Sequence, residues 1–129
     1  MTQTPPTIPI LPGLSGIAAD YDLILCDVWG VLHNGTYGHK AAGEALIRFR
    51  GLDGPRPRRV VLVSNAPRHW AGVRKILDRF EVPREAYDAI LTSGDITRDM
   101  LETQPGARVH HLGPERDASI FRDLDLILV

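Results

Sequence analysis

The chain has one cysteine, so no disulfide can close within it. Cys26 lies inside an apolar run, where it reads as a small buried hydrophobe rather than a reactive thiol, and a reducing compartment is compatible with that. The N-terminus, MTQTPPTIPILPG, lacks a basic region and is interrupted by prolines, which argues against a secretory signal. No apolar run approaches the ~18 residues of a membrane span. The expectation is therefore a cytoplasmic protein with no membrane contact. A formal net charge of −1 supplies no global basic field, so no nucleic-acid partner is expected. The arginines of Pro55-Arg56-Pro57-Arg58-Arg59 read as a solvated loop ahead of a strand. Neither GxGxxG nor GxxxxGK[ST] occurs, which removes the usual dinucleotide and P-loop readings. No internal repeat or low-complexity block is visible.

What remains is a soluble globular composition, 43% apolar and 24% charged over 129 residues, enough for one domain of ordinary size. After a Pro/Thr-rich arm over residues 1–13, a short helical turn is expected over 15–19. Apolar runs predict strands over 23–28, 59–63, 89–92, 108–112 and 124–129. Helical spacing predicts helices over 40–50, from Pro67 to Phe80, over 95–103 and over 114–122. On the second of these, Trp70, Val73, Ile76, Leu77 and Phe80 should share one buried face. Gly30, Gly35 and Gly38 mark residues 29–39 as turns, with a small hairpin at Asn34-Gly35. Strict alternation of strand and helix predicts an α/β fold with a mostly parallel sheet and helices on its faces. The chain stops inside the apolar run Leu126-Ile127-Leu128-Val129, and such an end predicts a partial sequence.

Asp27 is the first candidate for chemistry. It ends the run Leu23-Ile24-Leu25-Cys26, and open α/β sheets place ligands at the C-terminal ends of their strands. The second strand ends in Ser64-Asn65 and the third in Thr92-Ser93-Gly94, so parallel pairing would bring these groups toward one edge. A carboxylate near hydroxyl, amide and backbone N–H donors suits a phosphate ester. Asp27 would attack phosphorus and form an aspartyl-phosphate, with a divalent cation reconciling two anions. The alternative at this point is that Asp27 caps a turn and Ser64-Asn65 begins one. His110 and His111 are predicted on one strand facing opposite sides, His39 and His69 at helix entries, and no zinc site follows. Asp123 and Asp125 read as a solvated turn.

Asp27-Val28-Trp29-Gly30-Val31-Leu32 resembles motif I of the haloacid dehalogenase superfamily, usually written DxDGT/V. Val61-Leu62-Val63-Ser64-Asn65 resembles motif II. DVWGVLHNG, followed in order by SNAPR, LTSG and HHLGPERD, is similar to one subgroup of the class IIA, NagD-like branch, from about Ile17 to the end. The resemblance implies a three-layer Rossmann-like core over residues 1–104, carrying motifs I and II, and the start of an α/β cap over 105–129. It implies a phosphohydrolase acting on a sugar or small phosphorylated metabolite with Mg2+, here as an incomplete chain from which little turnover is expected alone. Asp27 matches the nucleophile and a metal ligand, and Trp29 the position whose backbone carbonyl binds the metal. Ser64 matches the phosphoryl-binding hydroxyl, with Asn65 beside it.

Trp29 also stands where the family carries its second aspartate, the general acid and base, a loss typically worth ~10²–10⁴-fold in rate. His33 is a candidate replacement acid; a turn-stabilising histidine is the other reading. The family's later lysine and acidic metal ligands have no match in this chain, and Asp117 does not supply them. The alternative to an enzyme is a non-catalytic relative that binds phosphate or a protein partner. In the family the strands contributed after the cap pair beside the first strand, so the strand over 23–28 is expected as a bare edge, with self-association through it.

Overall fold

The computed structural model describes residues 8–129, and most of the expected N-terminal arm lies outside them. Two 3-10 turns, Leu14–Gly16 and Ala18–Asp20, lead into β1, Leu23–Asp27. The order continues α1 (Lys40–Arg50), β2 (Arg59–Ser64), α2 (Trp70–Arg79), β3 (Ala89–Thr92) and α3 (Ser93–Glu102). β4 (Ala107–Val109), a 3-10 helix (Glu115–Phe121) and β5 (Leu126–Leu128) follow. The fold is α/β with parallel sheets, as the alternation predicts.

β2 is central. It pairs in parallel with β1, Asp27 opposite Val63, and with β3, Ser64 opposite Thr92. Because side chains alternate along a strand, Val60 and Leu62 share one face, and both are fully buried. They pack in one cluster with Cys26, with Leu46 and Phe49 of α1 and with Val73 and Leu77 of α2. Cys26 is thus the buried hydrophobe expected, and burial, then the charge of Asp27, pushes its thiol pKa up. The opposite face leaves Leu25, Val63 and Leu91 exposed, and among the described residues β1 pairs on one side only.

Several local expectations shift. β4 and β5 pair with each other in parallel and form a separate two-stranded sheet. The helix expected over 114–122 is a 3-10 helix, held to α3 because Arg98 Nη1 donates to the carbonyls of Ile120 (3.0 Å) and Arg122 (2.7 Å). α2 begins at Trp70 rather than Pro67, since the His69 side chain caps it by accepting the Ala71 N–H. Trp70 leaves the predicted core face and lies half exposed beneath the Arg74 guanidinium. α3 begins at Ser93, two residues early, because Thr92 is its cap.

The arginine cluster is the larger correction. Arg58 is buried (7% exposed) and not solvated. Its guanidinium donates to the carbonyls of Ala19 (3.1 Å) and Tyr21 and to the Asp22 carboxylate (3.0 Å). Five fixed N–H donors let it gather the turn before β1 onto the start of β2.

A second ionic knot sits at the same, N-terminal end of β2, on the side of β3. Asp88 accepts from the Val60 N–H (2.8 Å), Arg59 (2.9 Å) and Arg50 (2.6 Å). Burial alone would raise its pKa, but the Val60 N–H and the two guanidiniums outweigh burial and hold the carboxyl below its ordinary value. A depressed folded-state pKa contributes stability that is present above the unfolded value, about 4, and is lost as pH falls through the folded one. Asp88→Asn should therefore cost about 1–3 kcal/mol at neutral pH. Urea unfolding at pH 7 and at pH 3 checks this: the gap between wild type and variant should close in acid, and a gap independent of pH would contradict it.

Candidate active site

The C-terminal ends of β1 and β2 open into a cavity of about 860 Å³. Asp27, Trp29, Ser64 and Asn65, all expected at a site, line it together with His33. Asp27 is exposed, and its Oδ1 accepts the Val28 N–H at 2.7 Å, which leaves Oδ2 open. The Ser64 hydroxyl accepts the Ala66 N–H at 3.2 Å, so its own proton is available to a ligand oxygen.

The turn after β1 builds the wall facing these groups. Gly30 has φ 79° and Gly35 φ 88°, both left-handed. Gly38 bridges His33 in antiparallel fashion, and the Asn34 side chain accepts the N–H groups of Thr36 and Tyr37 at 2.9 and 3.0 Å. The expected hairpin exists, with a four-residue turn over 34–37 in place of a two-residue one. A Cβ on Gly35 would lie 2.6 Å from Trp29 Cη2, so the indole packs where only glycine leaves room.

His33 is 4% exposed, stacked on Phe80 (centroids 4.7 Å) and edge-on to Trp29 (5.3 Å). Its Nδ1 accepts the Gly35 N–H at 3.2 Å. Burial, then the nearby His39, lowers its pKa. An imidazole accepting through Nδ1 carries its proton on Nε2 and is neutral. Of the two readings of His33 this geometry fits the turn-stabilising one: the ring accepts the Gly35 N–H and keeps Nε2–H as a hydrogen-bond donor.

Thr92, Ser93 and Gly94 do not join the cavity lining. The Thr92 hydroxyl is buried, accepts the Asp95 N–H at 2.9 Å, and shares its proton between the Arg68 carbonyl (2.7 Å) and the Asp95 carboxylate (2.6 Å). The Gly94 N–H donates to the Ala66 carbonyl at 3.1 Å, and Asp95 accepts the Trp70 N–H at 3.0 Å. This corner holds the loop that carries Ser64 and Asn65. Sequence reasoning missed its role, along with Arg68, Arg79, Ile76 and Phe80 in the lining. Helical spacing assigns Ile76 and Phe80 to a buried face, and nothing in the sequence marks Arg79, at the last turn of α2. Asp117 is buried and pairs with Arg68 at 3.3 Å.

His39 and His69 stand at helix entries as expected. His110 lies past β4 against the Val129 carbonyl, and His111 against Phe121. Among the described residues no three His, Cys, Asp or Glu side chains gather as a metal site. Two oxygens nevertheless suit a hard cation, Asp27 Oδ2 and the Trp29 carbonyl, to which no described donor is bonded. They fit a divalent ion that draws the rest of its shell from water and a substrate phosphate.

The family model described as haloacid dehalogenase-like hydrolase matches residues 24–127. A solved hydrolase of the haloacid dehalogenase-like family from Brucella suis 1330 is 41% identical, with a TM-score of 0.78, over 93% of this chain and 44% of its own. A glycerol phosphate phosphatase from Mycobacterium tuberculosis, solved in complex with calcium, is 27% identical with a TM-score of 0.60, over 88% of this chain and 31% of its own. The chain thus spans less than half the length of either solved relative. No curated protein matches it.

The corner supplies a test. A Cβ on Gly94 would come within 2.4 Å of the Arg68 backbone nitrogen, and backbone cannot yield as a side chain tip can. Gly94→Ala should cost about 1–3 kcal/mol and shift the amide resonances of Asn65, Ala66 and Arg68. Wild-type stability with those resonances unmoved would contradict the contact.

Proposed function

The chain belongs to the haloacid dehalogenase-like hydrolases, and from that membership we propose a phosphohydrolase that forms an aspartyl-phosphate on Asp27. The observation that carries this reading is the shared cavity: the open oxygen of Asp27 and the hydroxyl and amide of Ser64 and Asn65 line one space. The substrate proposed is a small phosphorylated metabolite, a class to which the glycerol phosphate of the solved phosphatase belongs.

Asp27 Oδ2 attacks phosphorus while the Val28 N–H holds Oδ1 and fixes the carboxylate plane. Ser64 donates to a phosphoryl oxygen, held in orientation by the Ala66 N–H it accepts. Asn65 lies beside it as a second donor. Arg68 and Arg79 add positive charge to the wall. Mg2+, held by Asp27 and the Trp29 carbonyl, would neutralise phosphoryl charge when bound. No helix among the described residues is long and apolar enough to cross a membrane, and the buried thiol of Cys26 suits a cytoplasmic site of action.

Two structural proposals accompany this reading. The proposed boundary falls after residue 104, with the part of the core that carries the site before it and the start of a class IIA cap over 105–129; the separate β4–β5 sheet supports that boundary. The open edge of β1, with Leu23 and Leu25 exposed, favours self-association. Light scattering should show mass rising with concentration, and a monodisperse monomer at high concentration would contradict it.

The chemistry is tested by incubating the 129-residue chain with acetyl phosphate and magnesium chloride and reading intact mass. One phosphoryl group should be added and map to Asp27, and Asp27→Asn should take up none. Labelling that survives in the variant would remove Asp27 from the role.

A further inference from the structure

Among the described residues the cavity has a nucleophile but no second carboxyl or thiol placed to protonate a leaving group. The titratable side chains in its lining are Asp27, His33, Arg68 and Arg79. Asp27 is committed to phosphorus, and arginine holds its protons throughout the working pH range. His33 Nδ1 is occupied as an acceptor of the Gly35 N–H, so the ring presents only Nε2–H. Trp29 contributes an indole, whose N–H donates a hydrogen bond and releases no proton. The described lining therefore offers hydrogen bonds and charge to a departing oxygen, but no acid to protonate it.

That composition sorts substrates by leaving group. An alkoxide is about as basic as hydroxide and departs slowly unless protonated. A phenolate, with a conjugate acid near 10 on the tyrosine scale, departs far more readily. The walls point the same way: Trp29 is 64% exposed and borders the cavity with Phe80, a surface on which a planar aromatic group stacks.

Resting on the phosphohydrolase reading, we propose that this site is selective for aryl phosphate monoesters over alkyl ones. In the first step the Asp27 Oδ2–phosphorus bond forms and the phosphorus–oxygen bond to the aryl group breaks, its electron pair leaving as phenolate. In the second, water attacks phosphorus, the bond to Asp27 breaks, the carboxylate is restored, and the water's proton passes to solvent. With no base to assist it, this second step is the slower one, so the aspartyl-phosphate accumulates.

The test uses the 129-residue chain with magnesium chloride and two probes, p-nitrophenyl phosphate and glycerol phosphate. The first should give a burst of nitrophenolate equal to the protein, with Asp27 phosphorylated by intact mass. Labelling by glycerol phosphate should be ~10²–10⁴-fold slower, the span that general acid help is worth. Trp29→Asp, which sets a carboxyl in the cavity wall two residues after the nucleophile, should raise the glycerol phosphate rate and suppress the burst. Similar rates for the two probes, or a Trp29→Asp variant with an unchanged ratio, would overturn the selectivity and leave the phosphohydrolase standing. Failure of both probes and of acetyl phosphate to label Asp27 would overturn both. Independently of turnover, nitrogen NMR of His33 at neutral pH should show the Nε2–H tautomer. A proton on Nδ1 would overturn the claim that the ring is neutral and presents only Nε2–H.

Discussion

The close approach of Gly94 to the backbone of Arg68 is the contact on which the rest of the site depends. The loop from Asn65 to His69 has no regular structure of its own, so its groups must be positioned from outside. The β3–α3 corner does this with a glycine that admits the loop backbone, an N–H that meets the Ala66 carbonyl, and a threonine that caps α3 while bonding the Arg68 carbonyl. Asp95 then takes the Trp70 N–H and fixes where α2 starts. A third strand that lends no side chain to the cavity thus determines its floor.

Charge is distributed along the same path. Arg68 lines the cavity, yet its Nη2 is paired with the buried carboxylate of Asp117 in the 3-10 helix. Burying one member of such a pair alone is costly, so the loop and the 3-10 helix are bound to each other as well as to α3. The cavity's positive wall is therefore tied, through the Arg68–Asp117 pair, to the segment after β4.

Strands and helices that follow from local pattern were legible. The runs over β1, β2 and β3 are short, apolar and ended by polar residues, and parallel pairing places Asp27 and Ser64 at one edge as their order suggests. Arg58 was not legible, because its burial depends on carbonyls at Ala19 and Tyr21, far back along the chain, and a run of arginines reads as solvated when those partners are unseen. The LTSG segment resembled a ligand-facing strand end, but its hydroxyl is spent on a cap and a loop carbonyl, contacts that spacing cannot reveal. The separation of β4 and β5 from the larger sheet was hidden for a related reason: alternation specifies parallel pairing without naming the partner.

Trp29 is best understood with its two neighbours rather than as the loss of an acid. Its indole needs glycine at 35, since a Cβ there would enter the ring. The same Gly35 donates its N–H to His33 Nδ1, and the His33 ring meets Trp29 edge-on while stacking on Phe80. Each member constrains the others: glycine permits the indole, the glycine amide selects the tautomer, and the two aromatic rings hold the imidazole in place. A carboxyl at position 29 would leave Gly35 without the ring it accommodates and His33 without one of its walls. The turn is thus built around an aromatic side chain, and the absence of a proton donor is a property of the whole turn, which a single substitution reverses only in part.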